Sequence, residues 1–221
     1  MYIILRILLG LPGFALGIMI HESAHAFVAL KLGDPTGRNM GRISLDPRRH
    51  LDPIGAIFYI ATMVMTGGQR ALGWAKPVHI NPFNFRDARR DFMLSSLAGP
   101  AANFVQAAVW AVLLRGYGAI ALSVAEPYRG YIGYVFFFGI LINVVLAIFN
   151  LIPIPPLDGS RVLAWMLPER LAQYLDRLEH AGIGQLIIFA VIFFVPGVLG
   201  AVLGPALNPI MEFFFRIAGG G

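Results

Sequence analysis

Three stretches of this chain contain no charged side chain: Phe92–Leu114 (23 residues), Gly130–Leu157 (28) and Ala181–Met211 (31). A helix crosses a hydrocarbon core of roughly 30 Å in about 20 residues, so each stretch is long enough to span. A fourth run, about Tyr2–Leu30, is equally apolar but carries Arg6 near its start and His21, Glu22 and His25 near its end. A signal peptide over residues 1–20 fits poorly, because the apolar pattern continues through Ala26–Leu30 without a small-residue cleavage site. Only 13% of the 221 residues are charged and 57% are hydrophobic, against roughly a quarter and 45–50% in soluble domains. This excludes a disordered chain, an ordinary cytosolic enzyme and a nucleic-acid binder working through a charged surface. With no cysteine, disulfides, thiolate ligands and cysteine nucleophiles are excluded as well.

Pro53–Thr66 is apolar but only 14 residues long, opening on Asp52-Pro53 and closing on Gly67-Gly68. Runs of that length are more often re-entrant than spanning. Basic residues give an independent check: 31–52 and 66–91 hold five Lys/Arg each, and 153–180 holds Arg161, Arg170 and Arg177. If 53–66 dips in and returns, all 13 of these lie on one side, leaving Arg6, Arg115, Arg129 and Arg216 for the other. The positive-inside rule then puts the 13-charge side in the cytoplasm and the N-terminus outside. The expected fold is an all-α polytopic membrane protein. It has about four full spans, a short re-entrant or half-spanning segment, and no soluble domain or internal repeat. Gly41–Leu45 and Lys76–Asn81 alternate polar and apolar residues, which leaves a small interfacial β element and plain coil both open. Residues 159–180 are expected to be helical, interrupted at Pro168-Glu169.

Ionisable groups inside spans are costly, so each is a candidate functional residue. Of 12 acids, ten lie outside the spans or near their ends, and two remain in apolar surroundings, Glu22 and Asp158. Glu22 belongs to His21-Glu22-Ser23-Ala24-His25, an H-E-x-x-H. On a helix, imidazoles at i and i+4 project from one face, spaced to grip one Zn²⁺, with the carboxylate beside them as a general base. Shuffling this composition would give the pattern in about 0.3% of chains, so chance is a small risk. The bland alternative is a pair of packed histidines with Glu22 salt-bridged or protonated. Catalytic zinc usually takes three protein ligands. His50, His79 and His180 are expected to be plain interfacial loop residues, and the best third ligand is Asp158. Pro153, Pro155 and Pro156 unwind the backbone before it, which frees Asp158 to turn back toward the first helix. Its alternative role is to cap the helix starting near Gly159.

The H-E-x-x-H, Ala98-Gly99-Pro100-Ala101-Ala102-Asn103 in a middle helix, and Asn150…Leu157-Asp158-Gly159 after a later one together resemble the site-2 protease family of intramembrane zinc metalloproteases. The likeness covers roughly residues 15–165. It implies His21, His25 and Asp158 as ligands of one Zn²⁺ and Glu22 as catalytic base. It also suggests Asn150 as a polar group near the scissile carbonyl. Asn103 stands at the family's G-P-x-x-N-like position, with a less defined role; for both asparagines the alternative is an interhelical hydrogen bond. The family commonly reads N-P-D-G where this chain reads Pro156-Leu157-Asp158-Gly159. The length leaves no room for a PDZ-type domain, so a minimal single-domain form of 1–221 is expected, with 181–221 an additional membrane segment. The implied partners are the lipid bilayer and a transmembrane protein or peptide substrate, with an adaptor or a second copy of the chain as further options. A proton- or metal-ion transporter using the same His/Glu/Asp set is the competing function, and a non-catalytic scaffold is a third, disfavoured by the intact Glu22.

Overall fold

The computed structural model describes residues 3–66, 73–181 and 197–220, with positions 188, 190, 191 and 195 in addition. Three described helices are long and apolar enough to cross a membrane: Ile4–Leu32, Ala88–Ser123 and Tyr128–Asn150. We label the helices α1 (Ile3–Leu32), α2 (Thr36–Asn39), α3 (Pro47–His50), α4 (Pro53–Met65), α5 (Ala88–Ile120), α6 (Tyr128–Asn150), α7 (Asp158–Met166), α8 (Glu169–His180) and α9 (Val198–Ile217). The expected fourth span, Ala181–Met211, falls partly outside the described residues; α9 forms its second half and runs beyond it. The helix expected over 159–180 is present as α7 and α8, broken at Leu167-Pro168.

Helices α1, α5 and α6 pack against one another, and α9 lies against α5 and α6. Ala107 and Ala111 of α5, Ile140 and Val144 of α6, and Met211 and Phe214 of α9 form the buried apolar core. Small residues let the backbones close up, as helices in lipid require when burial from water no longer drives them together. At the crossing of α1 and α6, a Cβ on Gly13 would lie 2.8 Å from the Gly139 Cα.

The re-entrant expectation agrees with the chain path around α4. This 13-residue helix is about 20 Å long at 1.5 Å per residue, too short for a 30 Å core. The chain before and after it meets at one end: Leu51 and Ala75 form an antiparallel bridge, and Lys76 N–H donates to the His50 carbonyl at 2.8 Å. A spanning segment would put those residues on opposite faces. Ile54, Ile57, Ile60 and Val64 are exposed along one side of α4, an apolar stripe suited to lipid.

No sheet forms among the described residues; the bridge at Leu51 and Ala75 is isolated. The two alternating stretches, 41–45 and 76–81, are irregular backbone, because several of their polar groups are claimed by α1 and by Arg42. The Arg42 and Ser44 carbonyls accept from Ser23 Oγ, and Val78 N–H donates to Glu22. Beside them, buried Asp34 ties the end of α1 to the turn before α5, accepting from Thr36, from Asn84 Nδ2 and from Asn81 N–H. Burial alone would push this carboxyl up, but those hydrogen bonds outweigh it and hold it below the ordinary carboxylate range.

Gly13→Ala should lower stability by about 1–3 kcal/mol, since its methyl meets backbone that cannot rotate aside. Thermal unfolding of the detergent-solubilised protein measures this; an unchanged midpoint would show that the helices can separate at no cost.

Candidate metal centre

His21 and His25 lie one turn apart in the C-terminal half of α1 and are both buried. Asp158 is the first residue of α7, and Leu157, not Asp158, holds the capping position, without a side-chain cap bond. The capping role is therefore not the one Asp158 plays. Its direction is set by the turn after α6. A Cβ on Gly159 would lie 2.2 Å from the Leu151 carbonyl oxygen, so only glycine lets α7 start this close to the end of α6.

Three side-chain atoms converge. His21 Nε2 lies 3.0 Å from His25 Nε2 and 3.2 Å from Asp158 Oδ2, and His25 Nε2 lies 3.4 Å from the same oxygen. The other ring nitrogens are already used. His21 Nδ1 faces Asn103 Oδ1 at 2.6 Å and His25 Nδ1 faces the Ser95 carbonyl at 2.7 Å. Both partners are acceptors, so both Nδ1 atoms carry the proton. For Asn103 the orientation follows from its neighbours: Nδ2 donates to the Gly17 carbonyl (3.1 Å) and to Asn143 Oδ1 (2.8 Å). Asn143 is oriented in turn by donating its Nδ2 to the Gly139 carbonyl at 2.9 Å.

With Nδ1 protonated, the two Nε2 atoms present lone pairs to each other and to a carboxylate. Asp158 Oδ2 is buried and accepts no hydrogen bond. A proton shared between any two of these atoms leaves the third unsatisfied, whereas a divalent cation satisfies all three. Tetrahedral zinc with bonds of about 2.0–2.1 Å separates its ligands by roughly 3.3 Å, close to the spacings found. Two imidazoles and one carboxylate also suit zinc and leave its fourth position open. Space for the ion comes from α5: a Cβ on Gly99 would lie 2.4 Å from His25 Nε2 and 2.6 Å from His21 Nε2. Ser95, Gly99 and Asn103 stand at i, i+4 and i+8, so a single face of α5 holds both imidazoles and leaves room between them.

Glu22 is on the wall of the same cavity, its Oε2 accepting from Val78 N–H at 2.9 Å. The cavity has a volume of ≈ 1140 Å³, and Trp74, Phe92, Met93 and Phe149 supply apolar wall. Asn150 also lines it, but its Nδ2 donates to the Leu146 carbonyl of its own helix at 2.9 Å. His79 is exposed at the cavity's edge and His50 lies away from the metal ligands; the His180 side chain is outside the described residues. His50 differs from expectation: it closes α3, is fully buried, and its Nε2 bonds the Ser44 carbonyl at 2.7 Å. A loop histidine became interior because the chain folds back over it at Lys76. Asn143 is not singled out by sequence, although an amide inside the charge-free run 130–157, which holds Asn143 and Asn150, is a visible signal.

Two substitutions test the centre without touching a ligand. Gly99→Ala should leave the helical circular dichroism intact while bound zinc falls from one per chain toward zero. Asn103→Leu, which frees the His21 ring, should weaken zinc binding by about 10–100-fold. Metal analysis after dialysis against graded chelator reads both, and full zinc retention in Gly99→Ala would place the ion elsewhere.

The comparisons with known proteins point to zinc metalloproteases. Residues 114–195 match peptidase family M50, a stretch containing Asn150 and Asp158 but not the H-E-x-x-H. YwhC of Bacillus subtilis (strain 168), named as a zinc metalloprotease, is 36% identical over 190 residues, covering 86% of this chain and 81% of that protein. Rip2 of Mycolicibacterium smegmatis, also named as a zinc metalloprotease, is 30% identical over 156 residues, which cover 71% of this chain and 56% of Rip2. Rip2 of Mycobacterium tuberculosis (strain H37Rv) is 27% identical over 194 residues, 88% of this chain and 70% of Rip2. No solved structure matches the chain. Its donor set, its apolar helices and its likeness to YwhC together show that the chain belongs to peptidase family M50, the site-2 protease family of zinc metalloproteases.

Proposed function

We propose that this metalloprotease hydrolyses a peptide bond in or beside a transmembrane segment of a membrane protein. The observation that supports this most is the position of the centre. Its candidate ligands come from the C-terminal half of one apolar helix, α1, and from the start of α7 just after another, α6, and the cavity beside them has largely apolar walls. An apolar substrate segment suits such a wall. By the distribution of basic residues, the centre faces the cytoplasmic side of the cell membrane.

Zinc held by His21, His25 and Asp158 would supply Lewis acidity, lowering the pKa of water and polarising the scissile carbonyl. Glu22 is the base. Its Oε2 is engaged by Val78 N–H, so Oε1 is the atom free to take a proton from the attacking water and later return it to the leaving amine. Asn150 is the proposed donor to the developing oxyanion, and to act it would exchange its bond to Leu146 for one to the substrate. A helical substrate hides its carbonyls in i→i−4 bonds and must unwind before attack. Pro77, Val78, His79 and Ile80 line the cavity and would pack against the unwound stretch, the Pro77–Val78 peptide itself being engaged by Arg42 and Glu22; 41–45 is turned toward Ser23 instead. The short α4, whose flanks meet at Leu51 and Ala75, would act as the gate.

Purified protein, a synthetic transmembrane peptide and metal analysis test the reading together. Glu22→Gln should keep one zinc per chain yet lose at least about 100-fold in cleavage rate. Asp158→Ala should lose both metal and activity. Wild-type protein that binds zinc weakly and exchangeably and cleaves nothing would instead favour metal-ion transport.

A further inference from the structure

The peptide unit joining Pro77 to Val78 is held at both ends. Its N–H donates to Glu22 Oε2 at 2.9 Å, and its carbonyl accepts from Arg42 Nη2 at 3.1 Å. Arg42 is only 6% exposed. Among the described residues its guanidinium meets carbonyl oxygens alone: those of Arg49, Lys76 (3.3 Å) and Pro77. A buried cation without a carboxylate is costly, and carbonyl dipoles offset that cost only where several converge. Here they converge from two segments, 49 and 76–77, that flank α4 on either side.

Arg42 is itself anchored to the helix that carries Glu22. Its carbonyl accepts from Ser23 Oγ at 3.1 Å, and its N–H donates to the Gly37 carbonyl at 2.9 Å. The contacts therefore close a ring: Glu22 and Ser23 on α1, Arg42, the Pro77–Val78 peptide, and back to Glu22. A positive charge at the oxygen of a peptide polarises its N–H, which strengthens the bond that N–H makes to a carboxylate. It also fixes the plane of the peptide, and with it the direction in which Glu22 is held. Misplacement of a reacting group by about 1 Å can cost about 100-fold in rate.

We propose that Arg42 is a positioning residue for the catalytic base, holding the Pro77–Val78 peptide so that its N–H fixes one oxygen of Glu22 and leaves the other for the proton. This rests on Glu22 being the base of the proposed reaction. Arginine is suited to the task because its planar fork reaches several carbonyls at once.

The test uses the full chain in detergent, a fluorogenic synthetic transmembrane peptide, and zinc analysis of each preparation. Arg42→Gln should lower kcat at least tenfold with KM and zinc content unchanged, and Arg42→Lys, which keeps the charge, should recover part of the loss. Hydrogen exchange at the Val78 amide should become at least tenfold faster in Arg42→Gln, a readout independent of turnover. Val78→Pro removes the N–H but leaves the Pro77 carbonyl to Arg42, and should reproduce the fall in kcat even if Arg42→Gln does not fold. A wild-type kcat in Arg42→Gln or Val78→Pro overturns the proposal. So does a loss carried by KM or by zinc, which would make Arg42 a brace of the cavity wall. Wild-type protein inert toward the peptide would instead count against the protease reading itself.

Discussion

Two imidazole nitrogens and a carboxylate oxygen point their lone pairs at one another inside a helical bundle, and much of the structure serves to keep them there. Unneutralised, that arrangement repels, and in apolar surroundings nothing screens the repulsion. It persists because every alternative partner is denied. The Nδ1 protons are committed to Asn103 and Ser95, Gly159 lets α7 start close enough to α6 to bring Asp158 to the histidines, and Gly99 has no side chain to fill the gap. A divalent cation converts the repulsion into coordination, so the fold is built around a charge that it must acquire.

Orientation is carried outward from this point by polar groups that would be liabilities elsewhere in a membrane. Two asparagines run from His21 to the Gly139 carbonyl, linking α1, α5 and α6 through one chain of hydrogen bonds. Each amide has its neighbours' donors and acceptors matched, which removes the cost of burying it. Close packing at Gly13 and Gly139 holds the same helices together with no polar group at all. Rigidity of the metal ligands and tight approach of the backbones are thus two effects of one crossing. Beside the centre, the irregular segments flanking α4 carry Glu22's partner, so Glu22 is set by backbone from outside the spans while the histidines are set from within them.

The apolar scaffold and the chemistry were legible for different reasons. Long apolar runs report spans directly, because lipid penalises a charge wherever in the fold it falls: α5 and α6 cover the charge-free runs 92–114 and most of 130–157, and α1 covers the apolar run that holds Arg6 and Glu22 near its ends. His21 and His25 were legible because their spacing is local to one helix. Asp158 was legible only as an acid left over in apolar surroundings, and its convergence with the histidines depended on how α6 ends. The alternating stretches 41–45 and 76–81 left strand and coil both open, because alternation records which side chains are apolar and says nothing of where backbone donors find partners. Ser23, Arg42 and Glu22 supplied those partners first.

By itself, then, the amino-acid sequence determined that the chain lives in lipid, that α1, α5 and α6 are long and apolar enough to cross it, and that a histidine pair at metal-ligand spacing with an adjacent carboxylate sits on the first. These are properties of composition and of spacing within one helix, fixed before any two segments meet. Tertiary structure alone decided that Asp158 closes the metal site, that Asn143 and Asn103 hold His21, and that Arg42 reaches Glu22 through the Pro77–Val78 peptide. Each joins residues at least 35 positions apart, counting from Arg42 to Pro77. Such contacts depend on helix crossing and loop return, which no local periodicity encodes.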